Sequence, residues 1–416
     1  MSQDKQTPLG ALVTAGDGQT EATRITDTIF MVKDISNAYL LTTADGDLLV
    51  NTGFLGNGER NKGLFAPHRS GPLRRIILTQ SHADHYGALP EQAEDGTQVI
   101  AGAGFTETAE YFDKLEAFLG RRSGKLWASM TRRSGPPPKP PKISPDIMVE
   151  DRYSFEQGGR RVEVVKTPGG ETLCSVYVWL PDERTVFTGN LFGPVWRAMP
   201  NLVTMRGDRP RLARAYLRSV EQVRALEPEL VITGHGEPIR GAERIRADLD
   251  TMHGAVSYLE QETIAGMNAG KTVQQLMSEI QLPEHLKIGE FHGKAPWVVR
   301  AIWEENAGWF HYDSTTSLYG VPRSSIHTDL VELAGGATAL AARAGRKLEE
   351  GSPLEAIHLL DIALDVEPGN QQGLTVKLGA LEQLLEASGG TNLSETMWLK
   401  SEITAVKAAL EAPCCS

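Results

Sequence analysis

Cysteine is scarce in this chain: Cys174, Cys414 and Cys415 are the only ones among 416 residues. An odd number that low gives no disulfide framework, so a reducing compartment is expected. Long apolar runs are also missing. No stretch of eighteen or more apolar residues occurs, and the opening MSQDKQTPLGALVTAGDGQT holds no apolar core of signal-peptide length. The expectation is a cytoplasmic protein without a membrane span. Positive charge is in deficit too, with 42 Lys and Arg against 53 Asp and Glu and a net charge of -11. That balance repels a phosphate backbone unless basic residues gather on one face, so nucleic acid is not an expected partner. The remaining composition, 40% apolar and 23% charged, excludes disordered, collagenous and disulfide-scaffold classes. At about 150 residues per domain the length predicts two to three domains.

Residues 1–240 carry short β-rich runs such as TIFMVKDI, DLLVNTG, RRIILTQ, RVEVVKT, CSVYVWL and ELVITGHG between Gly/Asp turns, a layered α/β pattern. YLLTTADGDLLVN reads as a hairpin around ADGD. RLARAYLRSVEQVRALEP has helical spacing and stops at Pro228, just before a strand. Between Arg121 and Lys142 seven Lys/Arg and no acid run into a proline stretch. A solvated connector is the plainer reading, ahead of a cationic flap that draws an anionic substrate. Residues 241–416 switch to long helical periodicity, and ATALAARAGRKLEEGSPLEAIHLLDIALDVEPGN resembles a tetratricopeptide-type hairpin. So short an array cannot stand alone and is expected to pack on its neighbour or on a second subunit.

The densest chemistry is Thr79-Gln80-Ser81-His82-Ala83-Asp84-His85-Tyr86-Gly87, directly after the apolar strand RRIIL. A strand ending in closely spaced imidazoles and a carboxylate aims several donors at one point, as a hydrolytic metal site requires. Zinc is the default ion for that set, with a position left open for water. Any one of these residues suits an ordinary polar turn, but His82, Asp84 and His85 together do not.

The block resembles the metallo-β-lactamase superfamily motif T-H-x-H-x-D-H-x-G. SNAYLLTTADGDLLVNTG, TPGGET, VFTGN and VITGHG stand in the superfamily's order, and the set covers residues 25–240. The resemblance implies an αββα sandwich with the metal site at one edge, between two β-sheets. Glu171 in TPGGET, the segment NLVTMRG and the tail through AIWEENAGWF are similar to the alkylsulfatase branch. That likeness implies an all-α, TPR-like dimerisation domain over 241–416 and a homodimer. The branch normally continues into a third, sterol-carrier-like domain, which is not expected here.

On this resemblance Asp84, His85 and His235 bind one zinc. Gln80, His82 and Glu171 bind another, with Asn190 at the bridging position. Gln80 stands for a histidine and Asn190 for a glutamate, and neutral amides are weaker ligands. One arrangement is a single zinc on Asp84, His85, His235 and Asn190, similar to hydrolytic chlorothalonil dehalogenase, which frees His82 as general base. The other has two zincs with His82 as a ligand. Both stay open, and His82 and Asp84 are the expected catalytic residues. Arg206, with Asn201, corresponds to the branch's sulfate-binding arginine, and a guanidinium fork suits an oxyanion. Trp297 stands where the branch has a second sulfate-binding histidine, which points toward a more apolar substrate. Trp196 is the other expected pocket aromatic, whereas Trp303 and Trp309 read as core or interface residues. His253, His285, His292 and His311 lack ligand spacing and are expected to be structural or exposed.

The expected activity is hydrolysis of a small hydrophobic, anionic substrate by a zinc-bound hydroxide, most closely that of an alkylsulfatase. The alternatives are a mononuclear-zinc hydrolase of another class (a dehalogenase or a carboxylic ester or lactone hydrolase) and a catalytically degenerate binding module.

Overall fold

The computed structural model describes residues 7–127 and 139–412. Two β-sheets lie face to face. The first has seven strands in sequence order: Thr23–Arg24, Ile29–Val32, Ala38–Leu41, Asp47–Val50, Leu73–Leu78, Gln98–Gly102 and Ile147–Val149. Its first four strands are antiparallel and the last three run parallel. The second sheet has six strands, from Arg152–Gln157 at one edge to Ile239–Arg240 at the other. The expected hairpin is present, with Tyr39 opposite Val50.

Strands with both faces covered read as continuous apolar runs, and these do. Along Ile29–Val32 the side chains alternate. Ile29 and Met31 enter the core between the sheets, where they join Val164, Val178 and Phe187 of the second sheet. Phe30 and Val32 face outward onto a cluster with Phe65 and Phe105 from the covering helices. The outer face of the second sheet is covered by the helix Ala213–Ala225, which ends before Pro228 as its sequence predicts. The result is the expected αββα order of layers.

That outer layer does not stop at residue 240. Leu249, Met252 and Val256 of the helix Ala242–Asn268, with Val298 and Ile302 of the helix Ala295–Ala307, share one core with Val186 and Val231 of the second sheet. Beyond them the helices His327–Leu333, Ala337–Glu349, Pro353–Val366, Gln371–Ala387 and Leu393–Glu411 pack on one another around smaller cores. Asn370 and Asn392 cap the last two, each accepting from the backbone N–H three residues on. No described helix is long and apolar enough to cross a membrane.

The basic run is only partly a connector. Its first residues end the helix Glu116–Trp127, on which Ser123 and Leu126 face the central cavity. Residues 128–138, and with them most of the proline stretch, lie outside the described residues, as do Cys414 and Cys415. Cys174 is buried and free.

Candidate active site

The strand Leu73–Leu78 delivers Thr79 to His82 at the rim of the sandwich, and one helical turn, Ala83–Tyr86, then carries Asp84 and His85. His235 follows the strand Leu230–Thr233 of the other sheet. Ligand atoms of Asp84, His85 and His235 all lie within 4.8 Å of one another. Ser36 sits among them: its hydroxyl hydrogen-bonds the Asp84 carboxylate and lies 3.0 Å from His85 Nε2 and 3.3 Å from His235 Nε2. The far nitrogen of His85, Nδ1, is 3.3 Å from the Thr79 hydroxyl and 3.0 Å from the Asn51 amide.

The electrostatics suit a cation. Burial pushes His85 down to about 3 and lowers His235 as well, so both rings are neutral near pH 7. Burial alone would raise the Asp84 carboxyl, but the surrounding His85, His235 and His82 and the Ser36 hydroxyl hold it below the ordinary carboxylate range. Asn190 adds a buried amide oxygen with no hydrogen-bond partner among the described residues. A Cβ at Gly234 would collide with that oxygen and press on His85, so glycine is required there. An orphaned oxygen beside two neutral imidazoles and a carboxylate is a donor set fit for one divalent ion.

The second expected set is differently engaged. The Gln80 amide lies 2.9 Å from His82 Nδ1, and Glu171 Oε1 lies 3.6 Å from the same nitrogen. Glu171 Oε2 is 2.6 Å from Nη1 of Arg211, a buried guanidinium. Asp208 Oδ2 stands 3.4 Å from His82 Nε2 and 3.4 Å from Arg206. Burial alone would raise Asp208, but His82, Arg211 and Arg206 hold it well below the usual carboxylate range. Glu171 is raised by burial despite Arg211. A carboxylate already neutralised by a buried arginine is poorly placed to balance a second divalent ion, so these residues do not fit one.

Both groups of residues reach one cavity of about 280 Å³. His82, Asp84, Glu171, Asn190 and His235 line it, as do Asn201 and Arg206. Leu9, Val13, Phe54 and Leu126 supply its apolar side. Trp196 and Trp297 do not line it. The Trp196 indole donates to Asp248 at 2.8 Å and packs edge-on against Phe192. Trp297 lies on the helix Ala295–Ala307 beside Lys294. His292 corrects the expectation in the other direction. It faces the cavity, with Nε2 3.0 Å from the Asn201 amide nitrogen. Burial, with Arg211 and Arg206, pushes it down to about 3, so it is a neutral ring. Sequence reasoning also passed over Ser36, Asp208 and Arg211. The run RGDRPRLAR carries the last two, but nothing in its pattern separates a buried arginine from an exposed one.

A model of the metallo-beta-lactamase superfamily matches residues 31–235. A model of alkyl sulfatase dimerisation matches residues 272–400. The chain is 24% identical over 381 residues to a linear primary-alkylsulfatase of Pseudomonas sp., covering 85% of this chain and 71% of that protein. It is 24% identical over 394 residues to an alkyl/aryl-sulfatase of Saccharomyces cerevisiae, covering 87% of this chain and 60% of that one. In structure it matches the stereoselective inverting sec-alkylsulfatase of Pseudomonas sp. with a TM-score of 0.81 at 20% identity, covering 95% of this chain and 66% of that one. The chain thus spans 60% to 71% of the length of these relatives, and the structural likeness shows a shared fold.

Proposed function

We propose that the chain, which matches models of the metallo-beta-lactamase superfamily and of alkyl sulfatase dimerisation, is a metal-dependent hydrolase that cleaves sulfate esters of small hydrophobic alcohols. The observation that carries this reading is the meeting of Arg206, Asn201 and His292 with Asp84 and His235 around one cavity. A guanidinium fork and neutral hydrogen-bonding groups suit a sulfate group, and the apolar side formed by Leu9, Val13, Phe54 and Leu126 suits its hydrocarbon. A cavity of about 280 Å³ is small for a ligand site and favours a compact substrate.

Asp84, His85, His235 and the Asn190 oxygen are the proposed ligands of a single zinc. When bound, such an ion lowers the pKa of a coordinated water toward about 7 and polarises an ester oxygen. Asp208, 3.4 Å from Nε2, favours the His82 tautomer with its proton on that nitrogen, which leaves Nδ1, beside the Gln80 amide, as the basic nitrogen of a ring that lines the cavity. Arg211 keeps Glu171 paired and out of the ligand set. A cytoplasmic location belongs to the same reading and rests on the scarcity of cysteine.

The direct test is sulfate release from short primary and secondary alkyl sulfates by the zinc-loaded full chain. Turnover of carboxylic esters or aryl halides without any sulfate release would instead support the second reading, a hydrolase of neutral substrates. The neutral amides Gln80 and Asn190 at two ligand positions favour that alternative. A protein that binds no zinc and turns over nothing would be a degenerate binding module.

We also propose a homodimer. Trp309, Tyr312 and Leu333 are 75%, 89% and 85% exposed, which is unusual for such large apolar side chains. Sedimentation showing a monomer at micromolar concentration would sink this part.

A further inference from the structure

We propose that the last helix of the chain, Leu393–Glu411, is a working part of the active site, because its capping residue Asn392 positions His292. Residues 290–293 form a bend between the short 3-10 turn Glu284–Leu286 and the helix Ala295–Ala307, with no ladder of their own to hold them. Their four consecutive carbonyls are satisfied from the last helix. The Asn392 side-chain NH2 shares its protons among the oxygens of Glu290, His292 and Gly293, at 3.0, 3.1 and 3.4 Å. The backbone N–H of Leu393 donates to Phe291 O at 3.1 Å.

The orientation of the Asn392 amide is fixed from its other end. Its Oδ1 accepts from Glu395 N–H at 3.1 Å, so the NH2 must face the bend. Lys294, next in the chain, pairs with Glu395 at 2.9 Å. On the opposite side, a Cβ at Gly293 would collide with Pro200 O, so the bend is pressed against the segment that presents Asn201. His292 is therefore held between two walls, with Asn201 in reach on one side and Asn392 behind it. The helix also borders the cavity itself: Ser394 lines it, and Leu393 packs with the lining residues Leu9 and Val13.

This inference rests on the reading of His292 as a sulfate-binding group, and the test separates the two. Asn392→Ser keeps a good helix cap but is too short to reach the bend. In the full chain, amide hydrogen exchange of residues 290–294 should be faster in Asn392→Ser than in wild type. Competition by inorganic sulfate should weaken roughly tenfold, the size of one lost hydrogen bond. His292→Ala should weaken it at least as much, and the double variant no further than His292→Ala alone, with the change in KM rather than kcat. Equal exchange in wild type and variant overturns the clamp. Faster exchange with unchanged sulfate competition, or losses that add in the double variant, overturns the positioning role. If wild type itself ignores sulfate, the sulfatase reading and the positioning role fall together, and the exchange result still decides whether the clamp exists. Glu395→Gln, which releases Lys294 beside the same bend, is the second variant under the same criteria should Asn392→Ser not fold.

Discussion

The Arg211 guanidinium lies 2.6 Å from a carboxylate oxygen of Glu171, and both side chains are buried at the edge of the cavity. A buried pair of this kind adds little net stability by forming, but it is costly to break from one side. Arg211→Met leaves the Glu171 charge uncompensated and is expected to cost about 3–5 kcal/mol. Adding Glu171→Gln removes the stranded charge and should recover most of that loss. Denaturant titration of the two variants measures both quantities. A double variant as unstable as Arg211→Met would mean that the pair is not the source.

Metal content separates the two roles open to His82. With one ion on Asp84, His85 and His235, the purified protein should hold about one zinc per chain. Asp84→Asn should lose it and His82→Ala should keep it, while turnover in His82→Ala falls roughly 100- to 10,000-fold. Elemental analysis is the check: a second ion in wild type that disappears in His82→Ala would restore the two-zinc arrangement.

Arg206 faces the cavity within 3.4 Å of Asp208 and 3.5 Å of His82 Nε2. Replacing it with methionine keeps bulk and removes the charge. On an alkyl sulfate, kcat/KM should fall roughly 10- to 100-fold, as loss of a charged hydrogen bond predicts. A carboxylic ester of the same alcohol should be nearly indifferent. Equal losses on both substrates would assign Arg206 to the fold rather than to sulfate.

Away from the site, Glu94 gives the pH response a definite sign. Arg69 hydrogen-bonds its carboxyl and holds it below the ordinary 4.5. A lowered folded value means the contribution is present above the unfolded value and is lost as pH falls through the folded one. Glu94→Gln should therefore lower the melting temperature at neutral pH and converge on wild type in acid. The effect is small, because Glu94 is partly solvated.

What the sequence disclosed follows from how local each feature is. Asp84 and His85 are neighbours on one turn after an apolar strand, so their convergence is written into consecutive residues. His235 needed only its place after another strand. His292 was misjudged because its setting comes from Asn392, a hundred residues away, and no spacing rule spans that distance. Trp196 was misjudged for a similar reason: Asp248, on a later helix, takes its N–H and turns the ring from the cavity. The basic run was read by charge alone, and charge hid the helix that brings Ser123 and Leu126 to the site.

The core shared by the second sheet and the helices Ala242–Asn268 and Ala295–Ala307 sets a limit on dissection. A chain trimmed after Arg240 would strip the cover from Val186, Val231, Tyr216 and Val220, all buried in the whole protein. It would also lose the bend that bears His292. Such a fragment is expected to be insoluble or to bind the dye ANS as a loosened state, whereas a folded, dye-silent fragment would contradict the shared core. The smallest unit expected to fold extends through those helices, beyond the proposed metal ligands.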